Sequence, residues 1–445
     1  MRIYFVSLGC DKNLVDAEHM LSLLTVGGHT ICDDEYEADV IIVNSCCFIK
    51  DALEESIDSI LELAAMKEDG NCKALIVTGC MAQRFSDEIM QEIPEVDAIV
   101  GTNSFEDILK AIDSCMISDE TYVSLKALDT IPQLTGRVMT TGGYFEYLKI
   151  AEGCDKYCSY CIIPYIRGSY RSVPMEMLLE ETERMVADGV REICLVAQET
   201  TIYGTDLYGH NALPELIDKL SRIDDLRWIR ILYCYPEEIT DELIETIATN
   251  PKVCHYLDLP IQSGSDNVLK AMGRRTDAEA IRRVVAKLRD RIPDIALRTT
   301  MLCGFPGETE EDHQATLDLI GDLKFDRLGC FTYSREEGTR AAEMDSQIDE
   351  DIKERRREEI MLLEQSIIFD RNESYIGEEL DIIVEGRVVD EDNLYMGRSY
   401  RDAPSVDGMV FVHCDHELMS GDFIRVRITA AENYDLIGDI VDEFA

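Results

Sequence analysis

Cys154, Cys158 and Cys161 are the residues whose types and spacing most directly imply chemistry, set as C-x3-C-x2-C in the run from Ala151 to Gly168. Such a loop supplies three thiolates, one fewer than a closed tetrahedral metal site or a fully ligated cubane cluster needs. If it holds a 4Fe-4S cluster, one iron keeps a position for a substrate or cofactor. The same logic separates catalytic from structural zinc. A structural zinc loop completed by a distant fourth ligand is the competing reading, although zinc ligands more often come as two close cysteine pairs.

A second set of cysteines is distributed rather than clustered. Ile3 to Cys10, Val40 to Cys46 and Ala74 to Cys80 are short β-branched runs, each ending in cysteine. Runs of this kind read as buried parallel strands. In a doubly wound sheet the C-terminal strand ends share one edge, where ligands bind. Cys10, Cys46 and Cys80 can therefore converge across separations of 36 and 34 residues. Three converging thiolates would form a second open cluster site. Three separately buried cysteines are the plainer alternative, since free cysteine is a common small hydrophobe.

The elements that must position these residues read as an α/β multidomain chain. Between the first runs lie helical patterns, such as Asp51 to Met66 with Leu53, Ile57, Ile60, Leu61 and Ala64 on one stripe. The βαβ rhythm predicts a doubly wound parallel-sheet domain over 1–117. A new set of strands follows over 140–371: Tyr147 to Ile150, Glu192 to Ala197, Ile229 to Tyr233, Tyr256 to Leu259, Ala296 to Leu302 and Arg327 to Tyr333. Helices such as Met175 to Asp188 and Ala278 to Asp290 separate them, which predicts a partial TIM-like (β/α) barrel with its chemistry at the C-terminal strand ends. The cysteine loop follows the first of these strands. Other strand ends are polar or glycine-rich, and Cys303 to Glu308 forms a turn tight enough for backbone to approach a ligand. A helical connector, Asp349 to Phe369, carries Arg355, Arg356 and Arg357, expected on a solvated face. The segment 374–445 changes to β-rich runs, Leu380 to Val389, Gly408 to Val412 and Asp422 to Ala430, and predicts a small C-terminal β-barrel.

Composition narrows the partners. The chain has 445 residues and a formal net charge of −46, and its stretch from Glu373 onward holds 18 acidic against 5 basic residues. Nucleic-acid binders usually carry a basic face, because phosphate neutralisation supplies much of their affinity. The balance here favours a basic protein partner, or acidity that serves only solubility. No apolar run is long enough to span a membrane and Met1 to Gly9 has no signal-peptide layout, so a cytoplasmic protein is expected. In that compartment the 16 cysteines point to metal or catalysis rather than disulfides.

The loop spacing, with Tyr160 just before the third cysteine, resembles the radical S-adenosylmethionine (SAM) superfamily. Together with Gly9-Cys10, Asn44-Ser45-Cys46, Thr78-Gly79-Cys80, Pro164 and Arg167-Gly168, it resembles the methylthiotransferase family along essentially the whole chain. That resemblance implies two 4Fe-4S clusters, one on Cys10, Cys46 and Cys80 and one on Cys154, Cys158 and Cys161. It implies SAM contacts at Tyr160, along the adenine, and at Gln198, Gln262, Gly304 and Pro306. It also implies that the terminal barrel is a TRAM domain and that the clusters and SAM, rather than an assigned side chain, carry the chemistry. One SAM would donate a methyl group to sulfur at the first cluster, and another would be cleaved at the second.

Two branches of the family differ in substrate. One modifies adenosine in transfer RNA; the other modifies the β-carbon of an aspartate in ribosomal protein S-twelve. Leu195 to Thr201, Trp228 to Pro236 and Asp402 to Gly408 look like the ribosomal-protein branch, and the acidic barrel agrees. The implied partners are then S-twelve, free or within the small ribosomal subunit, and an electron donor, with no membrane. Two departures stand out. Cys47 follows Cys46 where the family has a smaller residue, with Cys46 favoured as the ligand. Gln262-Ser-Gly-Ser265 looks more like the transfer-RNA branch. A non-catalytic iron–sulfur protein that carries electrons or senses redox state is the reading from another class.

Overall fold

The structure is a computed structural model that describes residues 1–132 and 136–444. Ala445, the last residue of the expected barrel, lies outside them. The chain forms two compact units. The first comprises Met1–Thr140, Lys149–Val173 and Ser334–Ala342; the second comprises Thr141–Leu148, Pro174–Tyr333 and Glu343–Ala445.

The first unit is built on six parallel strands: β1 (Arg2–Ser7), β2 (Thr30–Ile31), β3 (Val40–Ser45), β4 (Ala74–Thr78), β5 (Val96–Val100) and β6 (Tyr122–Ser124). Their order is β2-β1-β3-β4-β5-β6. The inner strands β3, β4 and β5 are covered on both faces, which is why they are largely apolar rather than alternating. Val40 and Ile42 of β3 join Met20 and Leu24 of helix α1 (Asp11–Val26) in one core, with Ala74 and Ile76 of β4. Ile41 and Val43 point the other way, with Leu75 and Val77, into a core shared with Ile60 and Leu63 of helix α2 (Lys50–Ala64). The predicted helix from Asp51 ends two residues earlier than its pattern, and a separate turn of helix, Met66–Asp69, takes up the remainder.

In the second unit the strands run in the order β14-β13-β12-β11-β10-β7. They are β7 (Phe145–Lys149, whose last residue falls in the first unit), β10 (Glu192–Val196), β11 (Trp228–Ile231), β12 (Val253–Asp258), β13 (Ala296–Cys303) and β14 (Arg327–Thr332). All six were expected, within three residues at either end. The two-stranded ladder β8 (Ala151–Glu152) and β9 (Arg171–Ser172) brackets the cysteine loop in the first unit.

The C-terminal strands close into a barrel, β15-β16-β17-β19-β18. Their spans are β15 (Glu379–Arg387), β16 (Leu394–Ser399), β17 (Val410–His413), β18 (Phe423–Glu432) and β19 (Asp435–Phe444). Leu380, Ile382 and Val384 alternate inward with Ile424, Val426 and Ile428 to form its core. A helix of 25 residues, Glu350–Ser374, leads into this barrel. Its arginines correct one expectation. Arg355 and Arg357 face solvent, but Arg356 is buried and donates to the Glu308 carboxylate at 3.0 Å and to the Glu308 carbonyl at 3.1 Å. The carboxylate supplies the counter-charge that makes burial of the guanidinium tolerable.

The barrel and the second sheet share a buried ionic cluster. Glu192 accepts from Arg230 Nε at 2.7 Å and from Arg398 Nη2 at 2.8 Å, and all three side chains are fully buried. Arg230 also donates to the carbonyl of Tyr400 at 2.6 Å, so β11 is joined directly to barrel backbone.

Candidate functional site

The three distributed cysteines lie at one edge of the first sheet, just past the strand ends rather than on them. Cys10 caps the N-terminus of α1, Cys46 directly follows β3, and Cys80 sits in the first turn of the helix Gly79–Arg84. Two glycines make this convergence possible. Gly9 has a positive φ of 89°, and a Cβ there would lie 2.8 Å from the Cys46 sulfur. Gly79, with a φ of 88°, would set a Cβ 2.5 Å from the Ser45 carbonyl oxygen. Neither position admits a side chain, which explains the glycine before both Cys10 and Cys80.

Asparagines knit the turns together. Asn13 Nδ2 donates to the Leu8 carbonyl at 2.7 Å, and Asn44 Nδ2 donates to the Asn13 carbonyl at 2.8 Å. The Thr78 hydroxyl donates to Asn44 Oδ1 at 3.0 Å, and Ser56 Oγ accepts the Cys46 amide at 2.9 Å. Cys46 and Cys47 have different surroundings. Cys46 lies against Gly9 and feels the charge of Cys10; Cys47 belongs to the apolar core with Ile60, Leu63 and Val77 and feels the charge of Cys80.

The compact cysteine loop belongs to the same unit. Cys154 N donates to the Gly168 carbonyl and Cys161 N to the Cys158 carbonyl, both at 3.0 Å, so the loop closes on itself. Tyr160, beside the third cysteine, is half-buried. Among the described residues, no three histidine, cysteine or acidic side chains stand where they would hold a single metal ion. Cluster ligation asks something different, because each thiolate binds its own iron and the sulfurs spread around the cubane. Burial pushes the thiols of Cys46 and Cys161 up, and that of Cys80 up to about 12. Such thiols stay protonated near neutral pH unless cationic iron replaces the proton. Both donor sets therefore fit a cluster: three thiols each, all but the exposed Cys10 at least partly buried, with Cys80 and Cys161 sensing the charge of their set's other cysteines.

One side chain joins the two sets, and neither spacing nor periodicity marked its role. Arg167, six residues after Cys161, is 2% exposed. Its Nη2 lies 3.3 Å from the Cys80 sulfur and 3.1 Å from Asn13 Oδ1; its Nη1 donates to Asp16 at 2.6 Å and to Glu152 at 3.2 Å. Lys149 bridges the same two carboxylates. Burial opposes ionisation of Glu152, yet Lys149 and Arg167 hold its carboxyl well below the usual range. An arginine and its carboxylates buried together in this way are the sign of a function-bearing or structural ion network.

The remaining expected site residues lie on the second unit's strand ends. Gln198 follows β10 and is half-buried. Gln262 has a φ of 71°, and its backbone bridges to Met301 of β13. Gly304 and Pro306 are buried in the turn after β13, where the Glu308 carboxylate accepts the amides of Gly304 at 2.8 Å and Phe305 at 3.1 Å. The close neighbour of Gly304 is the Lys353 side chain. Ser263 and Ser265 serve the turn: Ser265 caps the helix Asp266–Met272 and donates to Asp312, and Gly264 N donates to Thr316 at 3.0 Å. Gly264 and Ser265 of the Gln262-Ser-Gly-Ser265 departure thus build the turn.

Comparison with known proteins agrees with this layout. Residues 2–101 match the Uncharacterized protein family UPF0004, residues 148–320 the Radical SAM superfamily and residues 376–441 the TRAM domain. Among solved structures, the radical S-adenosylmethionine methyltransferase TsrM from Kitasatospora setae superposes with a TM-score of 0.53 at 14% identity, covering 74% of this chain and 72% of that one. The cobalamin-dependent S-adenosylmethionine radical enzyme OxsB gives 0.53 at 13% identity, covering 82% of this chain and 56% of that one. At such identities these likenesses concern the fold alone. A protein of Lachnoclostridium phytofermentans described as "Ribosomal protein uS12 methylthiotransferase RimO" is 55% identical over 98% of this chain and 99% of its own length. Proteins with the same description from Geobacter sulfurreducens and Clostridium botulinum are 50% and 47% identical, each over at least 98% of both chains. The chain belongs to the family of ribosomal protein uS12 methylthiotransferases of the RimO type.

Proposed function

We propose that this chain transfers a methylthio group to the β-carbon of an aspartate in ribosomal protein uS12, using SAM and two 4Fe-4S clusters. The observation that carries the reading is the pair of three-thiol sets within one compact unit, in a chain 55% identical to a uS12 methylthiotransferase over nearly its full length. Cys10, Cys46 and Cys80 would hold one cluster, and Cys154, Cys158 and Cys161 the other. Bound there, the clusters and SAM supply one-electron chemistry that opens an unactivated C–H bond, for which side-chain acids and bases have no leverage.

The chain's own residues position and shelter that chemistry. Tyr160 is assigned to the adenine of SAM, and Gln198, Gln262, Gly304 and Pro306 to its remaining contacts. The Glu308 carboxylate fixes the Gly304 turn from behind, by its hydrogen bonds to two consecutive amides. The functional division is 1–117 for the first cluster domain, 140–371 for the radical SAM core and 374–445 for the TRAM barrel.

The barrel's charge supports a protein substrate. Each of its five arginines has a carboxylate neighbour: Arg387 with Asp392, Arg398 with Glu192, Arg401 with Asp326, Arg425 with Asp381 and Arg427 with Glu379. An RNA surface needs cations and stacking rings that are free to meet phosphates and bases. An acidic surface suits a basic ribosomal protein, free or in the small subunit. Among the described residues no helix is long and apolar enough to cross a membrane. A cytoplasmic enzyme served by a soluble electron donor is consistent with that.

Cysteine substitutions test the reading. Replacing Cys154, Cys158 or Cys161 by Ala should abolish 5′-deoxyadenosine formation from SAM. Replacing Cys10, Cys46 or Cys80 should leave SAM cleavage but stop methylthio transfer. Full transfer by a Cys80→Ala protein would refute the assignment of the first cluster.

A further inference from the structure

We propose that Arg167 is a positioning residue for the N-terminal cluster, donating to the Cys80 sulfur and raising that cluster's reduction potential while tying it to the loop of the second cluster. The inference rests on the reading that Cys10, Cys46 and Cys80 hold a cluster, and adds a tuning group to it.

The geometry is specific in three respects. First, Arg167 spends its fork on both sides: Nη2 reaches Cys80 and Asn13, and Nη1 reaches Asp16 and Glu152. Asp16 and Asn13 lie on α1, whose N-terminus is capped by Cys10. One guanidinium therefore touches the Cys80 thiol and the helix that begins at Cys10. Second, its own backbone belongs to the other site. Arg167 N closes the short helix Ile163–Ile166 by donating to the Ile163 carbonyl at 2.8 Å, and its neighbour Gly168 accepts from Cys154 N. Third, the side chain cannot wander. It is 2% exposed, and Asp16, itself held by Lys149, pins Nη1. A planar fork holds this many partners at fixed angles where an ammonium would not.

The electrostatic consequence has a definite sign. Reduction adds negative charge to a cluster and its sulfurs. A hydrogen bond and a buried positive charge at a cysteine sulfur stabilise the reduced form more than the oxidised one, which raises the potential. Asp16 and Glu152 offset part of the charge at longer range, but the N–H directed at sulfur acts on Cys80 alone.

The test uses the full-length chain carrying Cys158→Ala, so that only the N-terminal cluster is retained, with the reduced-cluster signal followed by electron paramagnetic resonance through a redox titration. Adding Arg167→Gln should shift the balance toward the oxidised cluster at least tenfold, a drop of about 59 mV for a one-electron couple. Arg167→Lys keeps the charge without the fork and should fall between the two. An unchanged midpoint in both variants overturns the proposal. If the Arg167→Gln protein retains no cluster, an Arg167→Lys midpoint below the parent's supports the assignment, and one equal to it overturns it. Absence of any cluster from the Cys158→Ala parent would instead overturn the underlying reading of Cys10, Cys46 and Cys80, and the proposal with it.

Discussion

Glu192→Gln should loosen the C-terminal barrel from the second sheet, and the structure sets the scale. Glu192 is the shared counter-ion of two fully buried arginines, at 2.7 Å from Arg230 and 2.8 Å from Arg398. Arg398 keeps a second carboxylate partner in Glu385, whereas the other acceptors of Arg230 are the backbone carbonyls of Tyr400 and Ser399. A glutamine retains one acceptor oxygen and turns an N–H₂ group toward a guanidinium. Removing one partner of a buried ion pair costs about 3–5 kcal/mol, and the retained acceptor places this change near the lower end. For a unit of this size that corresponds to a fall in melting temperature of roughly 6–12 °C. The chain's single tryptophan reports the event directly. Trp228 begins β11, pairs with Glu192 across the ladder and packs edge-on against Phe423 of the barrel at 4.9 Å. Thermal unfolding followed by Trp228 fluorescence should therefore show the drop. Glu180→Gln is the control: its partner Arg184 and Glu180 itself are both more than half exposed, so the midpoint should not move. A Glu192→Gln midpoint equal to the control's would refute the argument that this cluster holds the barrel in place.

Two further predictions concern single buried groups. Burial pushes the Glu364 carboxyl up to about 7, with Tyr434 donating to it at 3.3 Å. Because the folded state binds that proton more tightly than the unfolded chain, stability from this group is present below pH ~4.5 and is lost as pH rises toward 7. Glu364→Gln should raise the Trp228-reported midpoint at pH 8 and leave it unchanged at pH 4.5; equal effects at both would contradict the assignment. At the first cysteine set, Cys46→Ser should lower iron content by about one cluster's complement, whereas Cys47→Ser should keep the iron and cost ~1–3 kcal/mol for a hydroxyl in the apolar core. The opposite pattern of iron loss would exchange their roles.

Much of this architecture is legible from local pattern. Strand-then-cysteine recurs three times in the first segment, and β-branched runs between helical stripes marked every strand of the second sheet. Strands β16 and β19 escaped the same reading. Leu394 to Ser399 carries a glycine and an arginine that leaves the barrel to reach Glu192 of β10, and Asp435 to Phe444 mixes apolar residues with acidic ones. The short or flanking strands β2 and β6 escaped for lack of length. The six cysteines were legible because a ligand set has spacing. Arg167 was legible as part of a motif but not in its role, because its partners lie at positions 13, 16, 80 and 152, and only the folded chain gathers them. Arg356 misled for a related reason: a triple arginine on a helix resembles a solvated face until Glu308 is seen beneath it. Long-range ionic pairing has no period, so a linear pattern does not carry it.

The most direct test of the central claim is a competition under anaerobic conditions. Reconstituted protein would receive SAM, a strong reductant and sulfide, with uS12 and unmodified transfer RNA offered together and both products read by mass spectrometry. The account predicts a methylthio mass gain on one aspartate of uS12 and none on the RNA. A gain on adenosine, with uS12 unchanged, would contradict it.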